Sequence, residues 1–587
     1  MRNDDCVQVD VLIIGAGPAG LAAAIAAKKA GTESLIVLER EDQPGGILRQ
    51  CIHNGFGLHR FKEELTGPEY AQRDIDTARE MNIDIRTGVT VLSVSPDKIV
   101  TAVSRENGFM RYQAKAIVLA MGCRERPRGA LATPGTRCAG IYSAGTAQKF
   151  VNLEGFMPGR RVVILGSGDI GLIMARRMTL QGAKVLACVE LMPYSSGLNR
   201  NIVQCLQDYN IPLYLSHTVI DIQGKERLTG VTVAQVGPDR KPIPGTEMHF
   251  DCDTLLLSVG LIPENELSVG AGVQISPATS GAVVSDTLET SVPGVFACGN
   301  VLHVHDLVDH VSNESFRAGE MAARYAAGQR NEGREVAVKD GTSVRGVVPQ
   351  KIMMGPDTQQ VDLMFRPTQV YRDHYLTVYA DGKPVSSLRK MILTPGEMVV
   401  QPLSGKLLDA CRDAQEITVG ITKEKEAVHR RNGVLCSGPG SPPLLEQPKQ
   451  SALFLRFPGG NIQGLIAGFV NRPAQRPFIQ RRFGQDHRRA PAVGGAHLLH
   501  PQRPANRIAH MGLAHTAHHP VNFHSGFNHC WFLLEGLNTG RRSLWLNRSN
   551  HQQYTAGASD CQAFREEKQA KKHSPAGAST GEWQTAF

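Results

Sequence analysis

Residues 7–14 form a nearly continuous apolar, β-branched run, the pattern of a strand buried on both faces. A glycine turn follows, then an Ala-rich stretch that predicts a helix to about residue 30, then a second strand over 34–39. The same unit recurs about 150 residues later as strand 161–165, glycine turn, helix and strand 183–190. Between the two lie turn-bounded strands at 84–86, 89–94 and 99–104 and a buried-looking strand at 116–120. Further apolar runs cover 253–260 and 294–300, the latter feeding a helix from about 314 to 327. Strands alternating with helices predict an α/β chain. Over 340–426, Val, Thr and Leu alternate with turn pairs such as Asp381-Gly382 and Pro395-Gly396, which predicts a small β-rich domain.

The two glycine turns carry the chemistry. The first is Gly15-Ala16-Gly17-Pro18-Ala19-Gly20, placed between strand and helix. Gly15 permits the tight turn, Gly17 lets a pyrophosphate approach the backbone, and Gly20 lets helix and strand pack closely. The helix start adds free N–H groups and a partial positive charge that favour an anion. Glu39 ends the next strand nineteen residues past Gly20, with Arg40 beside it, where a carboxylate accepts ribose hydroxyls. The second turn is Gly166-Ser167-Gly168-Asp169-Ile170-Gly171, and Glu190 again lies nineteen residues past its last glycine. An acid there welcomes a ribose 2′-hydroxyl and repels a 2′-phosphate, so NAD(H) is expected over NADP(H).

Charge separates the body from the tail. Residues 1–429 hold 45 Lys and Arg against 48 Asp and Glu, whereas 430–587 hold 19 against 7. The near-neutral body argues against a nucleic-acid partner. Residues 427–587, rich in Arg, His, Gln and Pro without helix or strand period, read as a basic tail, disordered or a non-native extension. The chain starts acidic where a secretory signal would be basic, and its first apolar stretch is glycine-punctuated, so no signal peptide or membrane span is expected. Twelve scattered cysteines, with no CxxC, read as free thiols in a reducing cytoplasm.

Two more strand-to-turn segments, one ending at Gly122 and one at Gly299-Asn300, complete a pattern that resembles the pyridine nucleotide–disulfide oxidoreductase superfamily over roughly residues 7–335. The resemblance implies a discontinuous FAD domain (1–125 and 280–335), an NAD domain inserted at 126–279, and two Rossmann-like folds in all. It implies FAD at Gly15, Gly17, Pro18, Ala19, Gly20, Glu39, Arg40, Gly46, Gly122, Gly299 and Asn300. It implies NAD(H) at Gly166, Gly168, Asp169, Ile170, Gly171 and Glu190. Two departures stand out: Asn300 replaces the superfamily's usual Asp, and no two cysteines lie closer than 15 residues, so the redox-active pair is missing. The chain is more similar to the non-disulfide branch, which includes FAD-containing subunits of opine oxidases and the alpha subunit of sarcosine oxidase.

That layout sets the stretch His303-Val304-His305-Asp306 beside the flavin's pyrimidine end, where His305 and Asp306 would handle protons or charge. Residues 51–59, with His53, form the other candidate wall. The spacing of His303, His305 and His310 does not stack them on one helix face, so no metal is expected. The expected function is an FAD-dependent enzyme moving hydride between NAD(H) and flavin, with an unidentified small-molecule substrate, acceptor or partner subunit in a homo- or hetero-oligomer. One alternative is a dehydrogenase or oxidase subunit that oxidises an amine, opine-like amino acid or hydroxy-acid. Another is a non-catalytic, flavin-bearing redox sensor or scaffold.

Overall fold

The first glycine turn lies at the end of the strand Cys6–Ile14, in the middle of a seven-stranded sheet. The computed structural model describes residues 6–428 apart from Asn331 and Asp357, so beyond Val428 the expected tail lies outside the described residues. The parallel part of the sheet runs Asp84–Arg86, Leu35–Leu38, Cys6–Ile14, Gly108–Leu119 and Val295–Ala297. Its last strand arrives from far along the chain, so this unit is discontinuous in sequence. Gly108–Leu119 is longer than the predicted 116–120, because its first half pairs antiparallel with Ile99–Ser104. Val11, Leu12 and Ile13 are fully buried, each worth about 1.5–3 kcal/mol relative to exposure.

Helices Pro18–Lys29 and Val308–Ala326 pack closely on one face of this sheet. Gly319 makes the approach possible, since a Cβ there would meet Ala23 O at 2.0 Å. The second helix starts six residues earlier than the predicted 314. Its first turn is polar yet largely buried, so no apolar period announced it.

The second unit is a five-stranded parallel sheet in the order Ile141–Ser143, Thr254–Leu257, Arg161–Leu165, Lys184–Glu190, Leu213–Leu215. An antiparallel sheet of His217–Gly224, Leu228–Gln235 and Met248–Asp251 completes it. The chain enters through Cys123–Glu125 and leaves through Leu261–Pro263, and these two strands pair with each other. The second unit is thus inserted into the first.

Residues from Arg334 to Thr422 build a five-stranded and a three-stranded sheet around one core. In Gln360–Pro367 the alternation is clear: Val361, Leu363 and Phe365 are buried between more exposed neighbours. Among the described residues no helix is long and apolar enough to cross a membrane.

Candidate functional site

The two glycine turns are built alike. Gly15 and Gly166 take φ of +103° and +95°, which side-chain-bearing residues rarely adopt. A Cβ on Gly20 would lie 1.8 Å from Gly15 O, and one on Gly171 would lie 2.6 Å from Ser258 Cβ. Both glycines therefore serve helix–strand contact. Gly17 faces open space, its missing Cβ finding nothing nearer than Gly46 Cα at 3.9 Å. Gly168 faces Ser258 Oγ at 3.1 Å from the same position. Pro18 opens the first helix where a missing N–H costs nothing, and Asp169 and Ile170 open the second.

Each turn is tied to its acid. Glu39 Oε2 accepts the Ala16 N–H at 2.8 Å and Oε1 accepts that of Glu41 at 2.9 Å. Glu190 Oε2 accepts the Ser167 N–H at 2.9 Å and its hydroxyl at 2.5 Å, while Oε1 accepts the Met192 N–H at 2.9 Å. A carboxylate has about four lone-pair sites, so both acids keep capacity for ribose hydroxyls.

The first turn gathers residues from distant segments. Gly45 N–H donates to Ala16 O at 2.8 Å, which places Gly46 against Gly17. Gly299, at φ +70°, comes so near the first helix that a Cβ would meet Ala19 Cβ at 2.8 Å. Gly122 has φ +74° with nothing within 4 Å of a Cβ, and Arg40 is exposed. Asn300 Oδ1 accepts the His305 N–H at 3.0 Å, and its amide donates to Cys123 Sγ at 3.5 Å.

Glu314, not singled out from the sequence, organises the histidines. Its Oε1 accepts the Gly299 N–H at 2.6 Å; its Oε2 lies 2.6 Å from His303 Nε2, and Oε1 lies 3.3 Å from His305 Nε2. Burial opposes its charge, but the two histidines outweigh burial and hold the carboxyl far below the usual range. Burial lowers the His305 pKa, and its Nδ1 is buried without a hydrogen-bond partner among the described residues. With side-chain exposure of only 1%, His305 lies beneath the surface. These three side chains also converge closely enough for a metal ion, though their facing atoms are hydrogen-bonded to one another. A charged side chain between Val311 and Ala318 on the buried helix face was the available signal.

His310 leaves that cluster and stacks on His59, ring centroids 6.1 Å apart, while the His59 N–H donates to Asp309 Oδ2 at 2.9 Å. The structure thus joins the two expected walls at His59 rather than at His53. His53 packs on Phe56, and burial lowers its pKa; the Arg200 and Asp169 charges also reach it. Asp306 spends both oxygens on the β-rich unit: Arg366 Nη2 donates to Oδ1 at 2.5 Å and the Met398 N–H to Oδ2 at 2.6 Å. Nothing in the alternation of strand Gln360–Pro367 marked Arg366 in advance.

The Asp306 segment also reaches the second turn. Burial raises the Asp169 carboxyl, hydrogen bonds from Asn201 and Leu198 counter it, and the nearby Asp306 charge raises it further. Segments 53–57, 195–200 and 394–398 surround the same place: Gly55 abuts the Arg200 guanidinium, and Gly396 abuts Ser196 O.

A sequence signature described as pyridine nucleotide-disulphide oxidoreductase matches residues 9–330. The chain belongs to this family. The glutamate synthase [NADPH] small chain of Mycobacterium tuberculosis is 27% identical over 355 residues, spanning 54% of this chain and 67% of that protein. An opine oxidase subunit of Agrobacterium tumefaciens is 27% identical over 284 residues, 45% of this chain and 55% of that one. Among solved structures, T. acidophilum thioredoxin reductase is 27% identical and matches 54% of this chain with 98% of its own, at a TM-score of 0.45. As a family member the chain is an oxidoreductase, a flavoprotein enzyme of the kind that uses FAD and NAD(P)H.

The residues fit those cofactors. Gly17 leaves the space a Cβ would fill, at a helix start, beside a carboxylate with lone pairs to spare. The described cysteines are free, and burial pushes Cys51 up to about 12 and Cys123 up to about 11.

Proposed function

We propose that this family member moves hydride between NAD(H), held at Gly166, Gly168, Gly171 and Glu190, and FAD, held at Gly15, Gly17, Gly20 and Glu39. The FAD domain in this reading is 1–125 with 280–335, and the NAD domain 126–279. One observation carries it: Asp306, close in sequence to Asn300 of the first site, holds the Met398 N–H, and Gly396 of the same loop abuts Ser196, whose N–H donates to Ser167 of the second. Two dinucleotide sites opening on one place suit transfer between their ligands.

FAD, held at Gly15, Gly17, Gly20 and Glu39, would supply the two-electron redox chemistry. The chain's residues bind and orient. Glu190 favours a free 2′-hydroxyl, hence NAD(H) over NADP(H). Glu314 fixes the Gly299–Asn300 turn and both histidines. Relatives named as the small chain of one enzyme and as one subunit of another support a partner protein that accepts the electrons or shares the substrate site. The name opine oxidase also supports a second reading, in which an amine, opine-like amino acid or hydroxy-acid reduces the flavin.

The test is anaerobic mixing of the FAD-loaded protein with NADH, or with such metabolites singly, while following flavin absorbance. Fast bleaching by NADH is expected. Bleaching only by a metabolite would replace the first reading with the second.

A further inference from the structure

Arg366 belongs to the strand Gln360–Pro367, yet its guanidinium works at the edge of the second dinucleotide site. Nη2 donates to Val304 O at 2.9 Å and Asp306 Oδ1 at 2.5 Å, and Nη1 donates to Pro395 O at 3.0 Å. Arg and Asp side chains are only 19% and 17% exposed, so solvent screens the pair poorly. Asp306 Oδ2 then holds Met398, in the same loop as Pro395. That loop presses on the second site, because a Cβ on Gly396 would lie 2.5 Å from Ser196 O. The Ser196 N–H in turn donates to Ser167 Oγ at 3.2 Å, and the Leu198 N–H donates to Asp169 Oδ1 at 2.8 Å. Direct contacts thus run from Arg366 to the glycine turn.

The charges make this chain of contacts consequential. A dinucleotide brings a pyrophosphate dianion to a helix start that already carries Asp169, with Asp306 within electrostatic reach. An unpaired Asp306 would add repulsion in a partly buried place, where like charges cost most. We infer that Arg366 is a positioning residue for the dinucleotide of the second site: it neutralises Asp306 and holds the 395–398 loop against Ser196. On that inference the β-rich unit is part of the nucleotide site rather than an appendage. It rests on the proposed placement of NAD(H) at Gly166–Gly171.

The test is equilibrium binding of NADH to the FAD-loaded protein by calorimetry, at low and high salt, in four forms: wild type, R366Q, D306N and the double variant. R366Q should weaken binding roughly ten-fold, more at low salt, because it leaves a lone carboxylate near the dianion. D306N removes the charge while its amide oxygen can still accept the Met398 N–H and Arg366 still holds Val304 O and Pro395 O, so it should bind at least as well as wild type, and adding it to R366Q should restore most of the loss. The flavin spectrum should persist in all four. Unchanged binding in R366Q would overturn the inference, as would a double variant no better than R366Q, which would reduce the pair to packing. Should R366Q fail to fold, D306N decides alone, and weakened binding there would overturn it. Wild type that binds no NADH would instead overturn the proposed function beneath it.

Discussion

Glu190 accepts the backbone N–H of Ser167 at 2.9 Å, and Glu39 makes the equivalent bond to Ala16 at 2.8 Å in a separate sheet. The second bond of each acid also matches, to the residue two places on. Each acid is therefore aimed by the turn whose ligand it would serve.

Replacing Glu190 by Gln should erode selection against a 2′-phosphate. The ratio of kcat/KM for flavin reduction by NADH over NADPH should fall about ten-fold, close to 1.4 kcal/mol. Steady-state assays with both dinucleotides check this, and an unchanged ratio would deny Glu190 its role.

Gly17 and Gly20 should fail differently. Gly20→Ala forces a Cβ against Gly15 O, so it should cost about 2–4 kcal/mol in denaturant unfolding and release FAD. Gly17→Ala meets no protein atom closer than 3.9 Å, so it should fold nearly as well as wild type yet bind FAD at least ten-fold more weakly. Equal stability losses would show that Gly17 is structural.

Glu314→Gln should be severe. The amide cannot accept from both Gly299 and His303, and a buried network loses its only carboxylate. A loss of about 3–5 kcal/mol is expected by chemical denaturation, together with faster FAD dissociation. Full stability would show that His303 and His305 need no charged partner.

Stability should fall in mild acid. Burial lowers His305, His53 and His310 below the ordinary 6.5. Between those lowered values and 6.5 the unfolded chain binds more protons, so stability rises with pH. The contribution is complete above 6.5 and lost as pH falls through the folded values. Each group adds a slope of up to about 1.4 kcal/mol per pH unit. Thermal midpoints from about pH 7.5 to 5.5 should therefore decline, and His310→Asn should flatten the decline. A flat wild-type profile would contradict the burial of these rings.

What was legible in the sequence was local. Six-residue glycine turns and an acid nineteen residues on need only one strand, one helix and the next strand, and all of these formed near their predicted places. Glu314 with His303 and Asp306 with Arg366 are pairings across 11 and 60 positions, fixed only when helix Val308–Ala326 and the β-rich sheet dock. The histidines could be read as candidates, but their partners could not. The missed start of that helix has the same origin, since its polar first turn is buried by other segments rather than by its own periodicity.

The proposed direct transfer is tested most simply by the fate of hydrogen at C4 of the nicotinamide. NADH carrying deuterium on one face or the other would be oxidised anaerobically by the FAD-loaded protein, and the NAD+ recovered and weighed by mass spectrometry. The two sites as proposed predict loss of label from one face only. Loss from both faces equally, or no oxidation at all, would contradict them.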